Sequence, residues 1–301
     1  MRLEPERAGW RYTALRVLRF VPGERRVIGT GEFEWFALPL SGSYGVECAI
    51  EPDGEDGSGD SGQDGGGRFE LAGRRSVFTR VSDFAYLPRD ASAVIETPSG
   101  GELALAGARC TRRLRPRYGP AENVPVEVRG AGRASRQVTN FGAPDAWPHA
   151  DRLMAVELLT PGGNWSSYPP HRHDADSHDG VTCPVVNEEI YYFRIDGGPH
   201  AFGTHRTYTA DGAIDETATV RDGDVFCVPR GYHGPCAAAP DYPMYYLNVL
   251  AGPGEQRSMA FCDDPAHAWI RDGWAGQPAD PRLPLTSHVE DRLPRQTQER
   301  P

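Results

Sequence analysis

Short apolar or alternating runs, each closed by turn residues, recur along the whole chain and restrict what it can fold into. Glycine (35 residues) and proline (27 residues) are abundant, and no window of about 12 residues shows the apolar stripe of an amphipathic helix. The clearest runs are residues 34–40, 75–80, 93–96, 102–106, 153–159, 189–195, 225–228 and 245–250. The pattern predicts an all-β protein, with one or two helical turns near Pro265–Arg271.

The length of 301 residues allows two domains, each with its own core. A glycine- and arginine-rich stretch at 129–137 marks the break, so we predict domains over residues 1–135 and 136–275. Each would hold roughly eight to ten short strands, the number in a small barrel or jelly roll. Residues 51–67 contain no apolar side chain and are predicted to be a disordered insertion, with a calcium-binding repeat as the alternative. The proline- and arginine-rich tail at 276–301 is also predicted to be disordered.

The charged residues exclude several classes of function. The chain contains no lysine, so Schiff-base chemistry on a side-chain amine and a P-loop lysine are both excluded. The formal net charge of −10 does not favour nucleic acid or an anionic membrane as a partner, since both select clustered positive charge. No apolar run is long enough for a membrane span, and the charged N-terminal segment does not resemble a secretory signal. We therefore expect a cytoplasmic protein.

The histidines are distributed very unevenly, because all nine follow the predicted domain boundary. Only the second domain can therefore carry an imidazole metal site, and the first would serve packing, assembly of a homo-oligomer or the rim of the pocket. His171 and His173 are two residues apart, so on a strand both side chains project from the same face. Two imidazoles on one face can begin a site for zinc, iron, manganese or nickel.

Two further segments offer metal ligands of the same kinds. Glu188 and Glu189 open an aromatic strand, where a buried carboxylate needs a partner. A Gly-Asp turn, an apolar strand and a Pro-x-Gly turn then lead to His233. The residues alone leave open which of the two glutamates takes part, and His178 is a rival ligand.

The order of these segments resembles the cupin superfamily. Its first motif is Gly, His-x-His and then Glu in an aromatic strand, and its second is Gly-x5-Pro-x-Gly followed by His. Gly223, Pro229 and Gly231 match the second motif position for position, whereas the segment between His173 and Glu189 is longer than in most members.

A longer set of motifs is similar to the 5-deoxy-glucuronate isomerases of inositol catabolism, which are bicupins related to the 5-keto-4-deoxyuronate isomerases. The long insertion and the short Gly-Tyr-His spacing are typical of that family. The matching runs are residues 164–174, 188–192, 206–209, 229–233, 245–248 and 251–253, with Asp264-Pro265 and Trp269-Ile270. The resemblance covers residues 138–271 strongly and the N-terminal half loosely.

The resemblance implies a bicupin fold and an aldose–ketose isomerisation of the sugar acid 5-deoxy-D-glucuronate. It implies one divalent ion (zinc, manganese or iron) on His171, His173, Glu189 and His233. Within that framework we predict Glu189 and Tyr191 as catalytic residues. The side chains that we predict to contact the substrate are Arg206, which would pair with its carboxylate, then Arg230, Tyr208 and Tyr246. The alternatives are an iron-dependent cupin dioxygenase and a non-catalytic sugar-acid-binding cupin.

Overall fold

The computed structural model describes residues 1–50 and 65–289, and its regular structure is almost entirely β-strand. The strands of the N-terminal half are β1 Arg2–Leu3, β2 Thr13–Phe20, β3 Arg25–Gly29, β4 Phe33–Ile50, β5 Gly67–Arg74, β6 Phe84–Leu87, β7 Ala91–Glu96, β8 Gly101–Arg109 and β9 Arg117–Gly119. Short 3₁₀ helices span Pro5–Ala8, Ala121–Asn123, Gly132–Ala134, Ala268–Ile270 and Asp272–Trp274. The prediction of an all-β chain is confirmed, and so is the helical turn near residues 265–271. None of the helices in the described ranges is long and apolar enough to cross a membrane.

The C-terminal half consists of two further sheets. Its strands are β10 Val126–Arg129, β11 Arg136–Thr139, β12 Met154–Thr160, β13 Trp165–Ser166, β14 His171–Arg172, β15 Glu188–Ile195, β16 Gly203–Tyr208, β17 Asp215–Val220, β18 Val225–Val228, β19 Tyr232–Ala238, β20 Met244–Ala251 and β21 Cys262–Asp263. One sheet has the order β10-β11-β12-β20-β15-β18 and the other has the order β17-β16-β19-β14-β21, with β13 beside β19. Alternate residues of β12, β15 and β20, among them Phe193 and Tyr246, point between these two sheets. They form a core there together with Val138 of β11.

The N-terminal half is organised around the long strand β4. Its first part pairs with β6 and β8, and its second part pairs with β5 and β7. The register shifts near Gly42, where φ is +87° and a Cβ atom would lie 2.2 Å from the carbonyl oxygen of Gly100. Only glycine fits this corner. The bend lets β4 pair with strands of both layers around a single core.

The two halves share a core, because the sheet containing β12, β15 and β20 is covered on both faces. Ile190, Tyr192 and Leu247 point away from the C-terminal interior and pack with Leu15 and Phe36 of the N-terminal half. All eight residues of β20 are therefore buried. This arrangement explains why residues 245–250 read as a continuous apolar run rather than an alternating one.

The structure changes three details of the predicted organisation. β10 pairs with β11, so the boundary predicted at residue 135 falls inside a hydrogen-bonded pair of strands. Residues 75–80 form a turn rather than a strand, with the Thr79 N–H donating to the Ser76 carbonyl at 3.0 Å. Within the tail predicted to be disordered, Gln137 donates to Oγ1 of the buried Thr286 at 2.8 Å, so this part of the tail is held against the protein. The predicted insertion lies outside the described residues, except that Gly67 already begins β5.

Glu34 ties the two halves together through backbone hydrogen bonds. Its buried carboxylate accepts the N–H groups of Asp151 (2.8 Å), Arg152 (2.6 Å) and Leu153 (2.8 Å), and also the hydroxyl of Tyr86 at 2.7 Å. The carboxylate thus fixes the point at which the chain enters the second half.

We expect Glu34→Gln to lower the free energy of unfolding by about 2–3 kcal/mol, since a neutral amide can accept at only one atom and hydrogen bonds to charged groups are the stronger ones. Urea unfolding followed by circular dichroism measures the change. Glu32→Gln is the matched control, because Glu32 is exposed and its ion pair with Arg109 should contribute less than about 1 kcal/mol. Equal midpoints for the two variants would contradict the assigned role of Glu34.

Candidate metal centre

Three separate strands bring the predicted ligands together inside the C-terminal half. Glu189 lies on β15 of one sheet, whereas His171 begins β14 and His233 lies on β19 of the facing sheet. His171 and His233 are direct partners in the register of β14 and β19, and their rings lie 4.5 Å apart. The ligands therefore come from both sides of the space between the sheets.

Three of these side chains form a compact buried group. The potential ligand atoms of His173, Glu189 and His233 all lie within 4.8 Å of one another. Glu189 Oε2 is 3.0 Å from Nε2 of His173 and 3.0 Å from Nε2 of His233. His171 lies beside this group, partly buried, and its ring also contacts Phe261 at 4.7 Å between centroids.

Backbone carbonyls orient two of the imidazoles. His173 Nδ1 lies 3.0 Å from the Asn187 carbonyl oxygen, and His171 Nδ1 lies 3.2 Å from that of Pro169. When Nδ1 carries the proton and donates to such a carbonyl, Nε2 is left free to bind a metal. Metal-binding histidines are usually oriented by such a hydrogen bond from their other ring nitrogen.

The electrostatics of the group follow from burial and mutual contact. Burial raises the pKa of the Glu189 carboxyl, but His233 and His173 outweigh it and hold that pKa well below its usual range. Burial opposes protonation of His173, but its contacts with Glu189 raise its pKa overall. Burial and the nearby His233 lower the pKa of His171 well below its ordinary value. Glu189 is therefore held as the ionised carboxylate and His171 as the neutral imidazole, the states that metal ligands require.

The residues fit a divalent metal ion. Both ring nitrogens of His233 are buried and make no hydrogen bond within residues 1–50 and 65–289; the 3.0 Å contact of Nε2 with Glu189 lacks hydrogen-bond geometry. A buried imidazole without partners is unfavourable unless something binds it. Imidazole nitrogens with one carboxylate oxygen are the donors that zinc, manganese and iron accept.

Glu188, the other glutamate of the predicted pair, projects from the opposite face of β15. It accepts the backbone N–H groups of Arg11 (2.7 Å), Tyr12 (2.8 Å) and Thr13 (2.9 Å) from the N-terminal half. Because neighbouring residues on a strand face opposite sides, only one of the two glutamates can reach the imidazoles.

The long segment between the second histidine and Glu189 is anchored by Arg172. This buried guanidinium donates to Asp174 (2.8 Å), to Asp179 (3.0 Å) and to the Val181 carbonyl (2.5 Å). The exposed rival ligand His178 pairs with Asp176 instead and lies outside the three-residue group. The insertion thus supplies no ligand to that group.

The group opens into a cavity of about 810 Å³. Its wall includes both apolar side chains, such as Val156 and Leu158, and a set of polar side chains. Those polar residues include Arg129, Arg136, Ser167, Tyr191, Asn248, Arg257 and Arg271, with the acidic Glu127 and Asp145. Ser167 Oγ lies 3.2 Å from the hydroxyl of Tyr191 and 2.9 Å from that of Tyr246, so these hydroxyls form one network at the base of the cavity.

The structure brings some predicted site residues to this cavity and leaves others outside. Tyr191 lines it, and Tyr246 is buried behind Ser167. Arg206 instead pairs with Asp215 at 2.9 Å, and the exposed Arg230 pairs with Asp176 (2.7 Å) and Asp211 (2.8 Å). Neither arginine lines the cavity, and the Tyr208 hydroxyl donates to Asp264. Their assignment to the substrate remains a prediction that these contacts do not favour.

Several polar residues of the cavity were not singled out from the sequence. Arg136 lies in a segment without a recognisable motif, and Ser167 lies within the family-like run 164–174 but was given no role. Ser167 has a φ of +45°, unusual for a residue other than glycine. The sequence around Arg136 holds no signal that could have identified it, whereas Ser167 stands close to the His-x-His motif.

Several known proteins are similar to this chain in sequence or in structure. The chain is 37% identical over 276 residues to the 5-deoxy-glucuronate isomerase of Geobacillus kaustophilus, covering 90% of each sequence. It is 42% identical over 204 residues to that of Bacillus subtilis strain 168, covering 67% of this chain and 72% of the relative. An IolB-like protein from Salmonella typhimurium superposes with a TM-score of 0.76 at 33% identity, covering 90% of this chain and 94% of that structure.

A more distant structure supports the fold alone. The oxalate decarboxylase of Lactobacillus farciminis aligns with a TM-score of 0.56 at 12% identity, over 85% of this chain and 81% of that one. The predicted bicupin fold is confirmed. The model of the KduI/IolB family matches residues 1–270. The chain belongs to the KduI/IolB family.

Proposed function

We propose that this protein is a metal-dependent isomerase that converts the aldose 5-deoxy-D-glucuronate into the ketose 5-dehydro-2-deoxy-D-gluconate. The proposal rests on one observation above all: a buried His173–Glu189–His233 group opens into a cavity in a chain whose relatives are 5-deoxy-glucuronate isomerases. The cavity volume of about 810 Å³ falls within the range that suits small-molecule ligands.

We assign a divalent ion, zinc, manganese or iron, to the four residues His171, His173, Glu189 and His233. His171 is included because its ring lies against that of His233 and its Nδ1 is oriented by a backbone carbonyl. When bound, such an ion supplies a Lewis acid that polarises the substrate oxygens.

The isomerisation removes a proton from C2 and returns one to C1 through an enediol, so the protein must move a proton. We assign this transfer to Glu189, whose carboxylate lines the cavity and contacts the imidazoles of His173 and His233. Burial raises the pKa of Tyr191 well above its ordinary value, so its hydroxyl stays protonated near neutral pH. We assign Tyr191 to donate a hydrogen bond to the substrate oxygen on which charge develops.

The test is an NMR assay of purified protein with 5-deoxy-D-glucuronate under nitrogen, before and after chelation. We expect ketose formation that stops when the metal is removed and returns when it is restored. In D2O the product should acquire deuterium at the carbon that was C1 of the substrate. An enediol exchanges its proton with solvent, whereas a direct hydride shift does not. Absence of turnover by protein that contains stoichiometric metal would refute this function, and a requirement for oxygen would favour a dioxygenase.

A further inference from the structure

Arg136 is a buried cation with no carboxylate partner in residues 1–50 and 65–289. Its side chain begins β11, lines the cavity and is 7% exposed. One guanidinium nitrogen donates to the Ala134 carbonyl at 3.2 Å, whereas Nε makes no hydrogen bond within the described part of the chain. An unpaired buried charge is costly, so a protein that keeps one at a cavity wall uses it for binding more often than for stability.

The neighbours of Arg136 add positive charge rather than neutralise it. Arg129 stands directly opposite in the register of β10 and β11, an unfavourable position for a like charge. The ring of Trp274 lies 5.8 Å from the guanidinium of Arg136 and 5.3 Å from that of Arg271. Burial, with smaller contributions from Arg129 and Arg271, lowers the pKa of Arg136 to about 10, so the side chain is still charged near neutral pH.

Both flanking arginines have their own acidic partners. Arg129 pairs with Glu127, and Arg271 pairs with Asp263 through two nitrogens. Their charges are therefore balanced by those carboxylates, while Arg136 keeps donors available for a ligand. A guanidinium offers a carboxylate two parallel donors, a geometry that distinguishes it from a neutral group.

We propose that Arg136 binds the carboxylate of the sugar-acid substrate, at the wall of the cavity lined by β11 and Arg271. This inference rests on the proposed function for the identity of the substrate. The sequence predicted Arg206 for this role of binding the carboxylate. We assign it to Arg136 instead, because Arg206 pairs with Asp215 and does not line the cavity. It makes Arg136 a specificity-determining residue that distinguishes acids from neutral sugars.

The kinetic test uses Arg136→Met, which removes the charge and retains much of the side-chain length. We expect KM for 5-deoxy-D-glucuronate to rise about 10- to 100-fold, with a smaller change in kcat. The wild-type preference for the acid over its primary amide should fall to near unity, and Arg136→Lys should restore part of it. The exposed Arg19 provides the control variant Arg19→Met, which should retain wild-type kinetics.

A stability measurement separates binding from a structural role. Because Arg136→Met removes an unpaired buried charge, its thermal midpoint should equal or exceed that of the wild type. A lower midpoint together with an unchanged preference for the acid would show that Arg136 is structural and would overturn the proposal. A larger effect on KM from Arg206→Met than from Arg136→Met would also overturn it.

Calorimetric titration with D-glucuronate and D-glucose keeps the proposal testable apart from turnover. We expect the wild type to bind D-glucuronate and not D-glucose, and Arg136→Met to bind neither. If the wild type binds D-glucuronate through Arg136 but does not isomerise 5-deoxy-D-glucuronate, the proposed reaction fails and the anion site stands. Equal binding of D-glucuronate by the wild type and Arg136→Met, or binding by neither, overturns the anion site.

Discussion

Replacing His233 with alanine should remove the metal ion and lower isomerase activity by about 1000-fold or more while the fold is retained. The imidazole of His233 is buried, makes no hydrogen bond among the described residues and lies 3.0 Å from Glu189. No backbone group of the described residues hydrogen-bonds to its ring, so the substitution should remove a ligand without breaking a hydrogen bond. Mass spectrometry of the metal content and circular dichroism of the same preparations measure the two effects separately.

His178→Ala is the matched control for this prediction. His178 is exposed, and its partner is the carboxylate of Asp176 rather than Glu189. The variant should therefore keep its metal and its activity. Substitution of His171 by alanine should also remove stoichiometric metal, since its ring packs against that of His233. Wild-type metal content in both the His171 and His233 variants would rule out the proposed site.

Arg74→Met should lower the free energy of unfolding by about 3–5 kcal/mol, a large share of the stability of an ordinary domain. Arg74 lies on β5 of the N-terminal half and pairs with Glu157 on β12 of the C-terminal half, and both side chains are buried. The Tyr245 hydroxyl also donates to Glu157 at 2.8 Å, and Arg74 Nε donates to the Pro39 carbonyl at 2.9 Å. Removing the guanidinium leaves a buried carboxylate without its cation.

Arg68, an exposed arginine on the same strand, provides the control for the loss of stability expected from Arg74→Met. Arg68 is 64% exposed and lies 3.4 Å from Glu70, so Arg68→Met should change stability by no more than about 0.5 kcal/mol. Adding Glu157→Gln to Arg74→Met should recover most of the loss, because the amide keeps an acceptor for Tyr245 without an unpaired charge. Urea unfolding of the four proteins checks these expectations. Similar midpoints for Arg68→Met and Arg74→Met would contradict the role of the buried pair.

The strands themselves were largely predictable, because side-chain periodicity is a local property. Residues 225–228 coincide with β18, and residues 245–250 lie within β20. The failure at 75–80 has a local cause as well: Ser76 and Thr79 hydrogen-bond to each other's backbone groups and close a turn.

The types of residue in the metal centre were also fixed locally. The two-residue spacing of His171 and His173 and the turn before His233 predict ligands that can converge, and the structure places them beside one another. Which glutamate joins them is decided by the strand, because Glu189 shares a face with Tyr191 while Glu188 faces the N-terminal half. Glu189 was predicted as the ligand from similarity to a family, because the spacing of the residues alone did not distinguish it from Glu188.

The sequence by itself determined the all-β class, the half that carries the histidines and the kinds of ligand, since these depend on composition and on residues close together in the chain. Only the tertiary structure decided which charged side chains remain available to a substrate. Arg206 is neutralised by Asp215 across its own hairpin, whereas Arg136 is buried opposite Arg129 with no acidic partner among the described residues. The charge available to a ligand depends on burial and on partners brought together by folding, which neighbours in the sequence do not encode.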